Sequence, residues 1–508
     1  MREVSCKVQG LACTFAKGTL ESDLTARTEV KVRIRGGKDS GRFKTEISYD
    51  PCYYENEDGT ITCGLGALLF LTKNNPFCTI EFNSIDPPRS IFARIEIPKS
   101  ILESSKWLVN GKKRWYIEEA AEACRKHHNG TVKLPTGSSK TILQLIIAYS
   151  LLMEKNTTLI LVPSYPIYSQ FLGSARMYDI PMVDYRERVA GSNQEPMILL
   201  STPGVVYNDI ISSKYKEQFK LISTIIADEC HHVSAHTWHT IFMALPNVTR
   251  SYGFSAMPMD YSVNNAMNFS GMDIESALII SAMGPIIYEK SARELKDFLN
   301  IPKLINLHYT WPKDKWAEQR TDDWHKLRQL QYKNIDRLNL IATVIRLLID
   351  RQYNTIIHVS EKELGIDLLR LVDSDKCVAW YGGGKVIDKS NNRYSAEWLR
   401  KEAGNSILGI IGTQHLIEGM DLESPLNAIV LWDGKNARQV LQKSGRITRP
   451  GKKSSVIVNL VDSGLWILPR HSEERRQVTI REFDPESYEV TSLAKLKTTL
   501  GLIERASL

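Results

Sequence analysis

Two short segments of this chain combine residue types that could handle a phosphate anhydride. In Leu134-Pro135-Thr136-Gly137-Ser138-Ser139-Lys140-Thr141, small and turn-forming residues precede a Lys and a Thr, and an apolar run at 142–153 follows. Between a strand and a helix, such a loop turns backbone N–H groups and the helix N-terminus toward an anion. Pro135, Thr136, Gly137, Ser138 and Ser139 would form the cradle, Lys140 would reach the β/γ-phosphates of ATP, and the Thr141 hydroxyl would hold Mg²⁺. Ser139 stands where Gly is usual and Leu134 where Gly or Ala is, so a positive φ at Ser139 would carry a steric cost. Alone, the loop also fits an ordinary strand–turn–helix connection.

The second segment is an apolar strand, Thr224-Ile225-Ile226-Ala227, running into Asp228-Glu229-Cys230-His231. One carboxylate at a strand end can bind Mg²⁺, which makes Asp228 with Thr141 the metal candidates. Its neighbour, Glu229, can orient or deprotonate an attacking water. Beside a phosphate loop, an acidic turn without function becomes the poorer explanation. His231, His232, His236 and His239 are a weaker set: His232 and His236 could share a helical face, but no Cys or Glu follows at ligand spacing. The eight cysteines include no Cys-x-x-Cys pair, which favours reduced, partly buried thiols over a zinc ribbon or redox dithiol.

The elements that must position these groups follow from the apolar rhythm. Residues 1–105 show short alternating runs (29–35, 42–49, 61–71, 78–83, 91–97), with Asn56-Glu57-Asp58-Gly59 as a hairpin signal. They predict a small β-rich or α+β accessory domain. From 106 on, buried-type strands at 131–134, 157–162, 197–202, 223–228 and 251–255 alternate with helical patterns. A second series follows at 354–360, 376–381, 407–413, 428–433 and 455–461. Two such series predict two tandem α/β domains with parallel sheets, 106–310 and 311–470, and a C-terminal extension, 471–508. Helices are expected at 338–349 and 493–503.

Taken in order, the motifs resemble those of superfamily 2 helicases and translocases, motors built from two RecA-like domains. The resemblance covers roughly residues 110–465. Val162-Pro163-Ser164 and Ser201-Thr202-Pro203-Gly204 look like the first-domain nucleic-acid motifs, and Ser255-Ala256-Met257-Pro258 like the Ser-Ala-Thr coupling motif. Gly412-Thr413 through Glu418-Gly419-Met420-Asp421 resembles the second-domain strand and loop that meet backbone and nucleotide. Gln442-Lys443-Ser444-Gly445-Arg446-Ile447-Thr448-Arg449 is similar to the family's Gln-Arg-x-Gly-Arg-x-x-Arg box.

The resemblance implies Arg446 and Arg449 as finger residues for the γ-phosphate, Gln442 near the nucleotide or its water, and Gly419 and Asp421 on the nucleotide. Ser164, Thr202, Gly204, Ser360 and Thr413 become nucleic-acid contacts, made through hydroxyls and backbone without base readout. Departures are equally specific. Arg114-Trp115-Tyr116-Ile117 lacks the adenine-reading Gln of some members, leaving Arg114 or Tyr116 to lie by the base. Met257 replaces a hydroxyl residue, and Lys443 stands where Arg is commoner, which is not equivalent at a bidentate site.

The Asp-Glu-Cys-His box and the β-rich N-terminus resemble the phage recombination helicases that migrate branches. Gly284-Pro285-Ile286-Ile287-Tyr288 and a predicted helix at 292–299 are also similar to that group and to restriction-enzyme motor subunits. This implies a DNA partner, branched or forked, with Arg33, Arg35, Lys38, Arg42 and Lys44 as a basic run in the accessory domain. An RNA helicase with the same motor, and a nucleic-acid-binding module with a decayed ATPase, remain open.

Composition is compatible with this reading without requiring it. The chain has 508 residues, 65 Lys plus Arg against 58 Asp plus Glu, and a net charge of +7. That permits a polyanion partner but does not demand one. With 43% hydrophobic and 24% charged residues, disorder is disfavoured and a sizeable core is expected. The apolar stretches fall short of a membrane span, and charges near Met1 disfavour a secretory signal. A cytoplasmic protein of a bacterium or a phage-infected cell is the expectation.

Overall fold

The computed structural model describes all residues except 1, 10, 34–42, 75–77, 85–91, 105–106, 110, 190–194, 260–268, 312–323, 382–384, 414–421, 423, 434–436, 450–453, 464–467 and 507–508. By contacts the chain divides into two units. One comprises Met1–Val32, Thr45–Leu134 and Ser139–Lys290; the other comprises Arg33–Lys44, Pro135–Ser138 and Ser291–Leu508.

The first unit is built on a seven-stranded sheet whose described ladders are all parallel. From one edge to the other its strands are Met182–Asp184, Ile198–Ser201, Thr157–Leu161, Ile222–Asp228, Arg250–Ser255, Asn129–Lys133 and Ile286–Glu289. The inner strands Thr157–Leu161 and Ile222–Asp228 are buried at every position. Continuous burial is what a parallel sheet covered on both faces requires, and it explains their unbroken apolar runs.

The accessory region belongs to this unit. Its five-stranded sheet runs Tyr54–Glu55, Thr60–Gly64, Ala12–Ala16, Arg2–Gln9, Cys78–Ser84, with the last pair parallel. The run expected as strand at 61–71 instead splits into strand Thr60–Gly64 and helix Leu65–Asn74. Leu65–Leu71 is apolar on every side, so no period of two exists there to hold a strand. Helix Leu65–Asn74 lies against helix Ile274–Met283, and one hydrophobic core runs from Cys6, Phe15 and Leu68 into Ile225, Phe242 and Ile280. Residues 92–97 form no strand. They lie along helix Lys140–Met153, where Ser150 Oγ accepts from Glu96 N (2.8 Å) and donates to Glu96 O (3.2 Å).

Among the described residues the second unit holds nine strands in the order Arg393–Tyr394, Lys385–Ile387, Cys377–Tyr381, Gly409–Gly412, Thr355–His358, Ala428–Leu431, Val456–Ser463, Lys303–Thr310, Ser487–Val490. The described antiparallel ladders are the two that Lys385–Ile387 makes with its neighbours. Two boundaries shift. Lys303–Thr310, expected to close the first motor domain, pairs along its whole length with Val456–Ser463, so the division falls at 290 and not 310. Residues 471–508 are no extension: helix Leu468–Phe483 packs on that strand, Ser487–Val490 completes the sheet, and Leu496, Leu500 and Ile503 sit in the core. The helix expected at 292–299 is a run of turns, while those expected at 338–349 and 493–503 appear as Ile335–Asp350 and Leu493–Arg505. Among the described residues no helix is long and apolar enough to cross a membrane.

Candidate nucleotide and nucleic-acid site

Parallel strands deliver their C-terminal ends to one edge of a sheet, and loops there collect ligands. In the first unit that edge carries Ser139 and Lys140 beyond Asn129–Lys133, Ser164 after Thr157–Leu161, Thr202 after Ile198–Ser201, Asp228 at the end of Ile222–Asp228, and Ser255 at the end of Arg250–Ser255.

The phosphate loop has the backbone its sequence threatened. Gly137 takes φ +86°, and Ser139 is held at φ +62°, ψ +38°, the left-handed region, as the residue before helix Lys140–Met153. The helix is apolar and buried on most of its length, which anchors the strained turn. Ser138 Oγ donates to Pro135 O (2.7 Å), and Lys140 Nζ donates to Leu134 O (3.2 Å). Thr141 is half-buried in the first turn of this helix.

Asp228 is buried, and Gln144 Nε2 donates to its Oδ1 (2.7 Å). Burial first, and the neighbouring Glu229 charge second, push its carboxyl up to about 7. Glu229 also takes the left-handed region, at φ +47°. Ser255 Oγ donates to its Oε2 (3.0 Å), and His231 Nδ1 lies 3.3 Å from the same oxygen and 3.2 Å from Ser255 Oγ. Burial opposes the charge on Glu229, but His231, the Lys140 charge and Ser255 outweigh it and hold the carboxyl low, at about 2. The pair therefore splits: a fixed carboxylate at Glu229 stands beside a buried Asp228 whose ionisation a cation would favour.

Buried oxygen donors of this kind suit a hard divalent ion, so Asp228 and Thr141 fit Mg²⁺. Sequence reasoning passed over Gln144 and considered His231 only as a metal ligand. A Gln inside the apolar run Ile142-Leu143-Gln144-Leu145 was the available signal, since a buried amide needs a partner.

Residues 96–260, which span this loop and this box, match the family model described as "Type III restriction enzyme, res subunit". Over that stretch the chain resembles the helicase-type motor of this family. It is 23% identical over 407 residues to the DNA 3'-5' translocase XPB2 of Sulfurisphaera tokodaii, a match covering 73% of this chain and 87% of that relative. It is 21% identical over 382 residues to the ATP-dependent DNA helicase uvsW of Enterobacteria phage T4, covering 73% of each chain. The fold is shared with S. cerevisiae Dbp5 bound to RNA and ADP BeF3, at TM-score 0.50 and 14% identity over 76% of this chain and 92% of that chain.

The remaining expected residues of the chain are placed as follows. Met257 turns its side chain inward and its backbone N–H donates to Ser255 Oγ (3.3 Å), so the hydroxyl missing at this position leaves a main-chain link to the box. Ser164 and Thr202 precede the first turns of helices Tyr165–Met177 and Pro203–Ile211, with Gly204 exposed in the latter. Ser164 Oγ is buried without a hydrogen bond among the described residues. Tyr116 is fully buried, its hydroxyl paired with Arg114 Nη1 (2.6 Å). Its ring is thus unavailable for stacking on a base, and the exposed aromatic is Trp115, 39% accessible, with Lys290 Nζ 5.4 Å from its ring centre.

In the second unit, Ser360 and Thr413 follow strands Thr355–His358 and Gly409–Gly412. Gln442 lies half-buried on helix Ala437–Gly445, and Arg446 and Arg449 follow it, partly exposed. Lys443 is buried, which pushes its ammonium down to about 8. Gly419, Asp421 and the tip of the basic run around Gly36-Gly37 lie outside the described residues.

Proposed function

We propose that this protein is a helicase that couples ATP hydrolysis to movement along DNA and remodels branched substrates, migrating Holliday junctions and regressing forks. The carrying observation is the linked set Glu229, His231 and Ser255, next to Asp228, on the sheet edge that also bears Lys140 and Ser164. Relatives named a DNA translocase and a DNA helicase, and a family named for a restriction enzyme, favour DNA over RNA.

In this reading Lys140 and the loop N–H groups hold the triphosphate, and Asp228 with Thr141 hold Mg²⁺, which when bound neutralises charge at the β/γ-phosphates. Glu229, already ionised, orients the attacking water. Its bonds to Ser255 and His231 tie that carboxylate to the segment leading into Met257, so a change at the water position reaches the coupling motif directly. Arg446 and Arg449 supply further positive charge for the γ-phosphate. Ser164, Thr202, Gly204, Ser360 and Thr413 grip the strand.

The test compares ATP turnover and strand exchange on a fork, a Holliday junction, a tailed duplex and a structured RNA, with Lys140→Ala as baseline. Turnover above baseline and product from the fork and junction are expected. Preferential stimulation by RNA would transfer the assignment to an RNA-dependent motor, and no turnover with any nucleic acid would overturn it.

A further inference from the structure

The ligand edge of the first sheet carries an aromatic side chain that neither the phosphate chemistry nor the hydroxyl grips use. Tyr165 comes directly after Ser164, opens helix Tyr165–Met177 and is 59% accessible. A single exposed ring is ordinary on a protein surface; this one is distinguished by how it is held. Its ring centre lies 6.1 Å from that of Tyr168, with 59° between the planes. The Tyr168 hydroxyl donates to Asp184 Oδ2, and Asp184 Oδ1 accepts from Arg186 N (2.7 Å). Arg186 Nη2 then donates back to the Tyr165 hydroxyl (3.3 Å). The four residues form a closed circuit, with both carboxylate oxygens of Asp184 engaged inside it.

That circuit ties together the ends of two strands. Tyr165 follows Thr157–Leu161, and Asp184 closes Met182–Asp184; between these strands lies Ile198–Ser201, which leads to Thr202. Along the sheet edge the order is therefore Arg186, Thr202, then Ser164 with Tyr165. The ring and the exposed Arg186 guanidinium share one row with the two hydroxyls to which the nucleic-acid strand is assigned. An aromatic face fixed in place beside a cation suits a nucleotide, since the ring stacks on a base and the guanidinium meets a phosphate. Stacking needs a base that has left its duplex, so the ligand class is an unpaired strand.

We propose that Tyr165 is a base-stacking platform for single-stranded DNA, with Arg186 as its phosphate-binding neighbour. The inference deepens the proposed function and rests on the strand grip assigned there to Ser164 and Thr202. It adds a contact to a base, where those hydroxyls meet the backbone alone, and so makes the site favour a strand already opened.

The experiment measures binding by fluorescence anisotropy, across a salt series, to three labelled ligands: an oligothymidine strand, an abasic strand of equal length and a blunt duplex. Tyr165→Ala should weaken oligothymidine binding about tenfold, the scale of one lost base stack. Its affinity for the abasic strand and the duplex should stay within about twofold. Tyr165→Phe keeps the ring and should retain most of the affinity. Arg186→Gln should lower the salt slope on the single strand by about 0.7, the share of one phosphate contact. If Tyr165→Ala melts early, Tyr165→Leu, which keeps apolar bulk without a π-face, is read by the same criteria. Unchanged oligothymidine binding overturns the platform, as does an equal loss on all three ligands, which would mark a structural role. An unaltered chain that binds no nucleic acid is a different result and overturns the proposed function, and this inference with it.

Discussion

At the scale of single residues, both halves of the candidate site hold a non-glycine residue in the left-handed region: Ser139 ahead of helix Lys140–Met153 and Glu229 after strand Ile222–Asp228. Such conformations cost of order 1 kcal/mol and persist where the surroundings over-determine them. At Glu229 the surroundings are Ser255 and His231, and the carboxylate itself is the group to be aimed. At Ser139 the side chain makes no cap bond to the helix, so its strain has no evident return. Ser139→Gly should therefore raise thermal stability by roughly 1 kcal/mol and leave or increase ATP turnover. A melting curve and a steady-state ATPase assay check both, and a loss of stability would show that the Ser139 side chain holds the loop.

At the scale of elements, the seam between helices Leu65–Asn74 and Ile274–Met283 decides how the accessory sheet is held. A Cβ on Gly66 would lie 1.9 Å from Ile280 O and one on Gly64 2.1 Å from Ser281 O, both backbone atoms that cannot step aside. Gly66→Ala should cost at least 1–3 kcal/mol, as overpacking does, and denaturant melts should show the whole unit destabilised. A second contact of the accessory sheet, with helix His236–Ala244, carries a pH dependence. His239, on helix His236–Ala244, is buried beside Tyr54, whose hydroxyl lies 3.3 Å from its Nδ1. Burial, and then His236, depress its pKa from 6.5 to about 4. Between those values the unfolded chain binds a proton that the folded chain refuses, so stability is full above pH 6.5 and falls as the pH drops toward 4, by up to about 3 kcal/mol. His239→Phe should flatten that slope in melts between pH 4 and 7; an unchanged slope would assign it to other groups.

At the scale of the whole molecule, the C-terminal 38 residues and the N-terminal region are both woven into the units beside them. Ser487–Val490 pairs with Lys303–Thr310, and Val490, Leu496 and Leu500 are fully buried in the second core. Truncation at 470 should thus yield insoluble or molten second-unit protein, read by proteolysis and near-ultraviolet circular dichroism. A folded, ATP-hydrolysing truncation would show that the core closes without them.

What was legible in the sequence is what local chemistry dictates. The inner strands of both parallel sheets were readable because strands buried on both faces must be apolar throughout, as at Thr157–Leu161 and Ile222–Asp228. The loop ending in Lys140 and the Asp228-Glu229 pair were readable because each closes or follows such a strand. Tertiary structure alone decided the rest. Helix Leu65–Asn74 passed for strand because its apolar run has no period, and its partner lies some two hundred residues away. Lys303–Thr310 and Ser487–Val490 joined the second sheet through pairings that no local pattern announces. The burial of Tyr116, the hand of Gln144 on Asp228 and the reach of Arg186 to Tyr165 depend on side chains meeting across separate elements. A sequence states which groups could do chemistry; only packing fixes which of them share a proton.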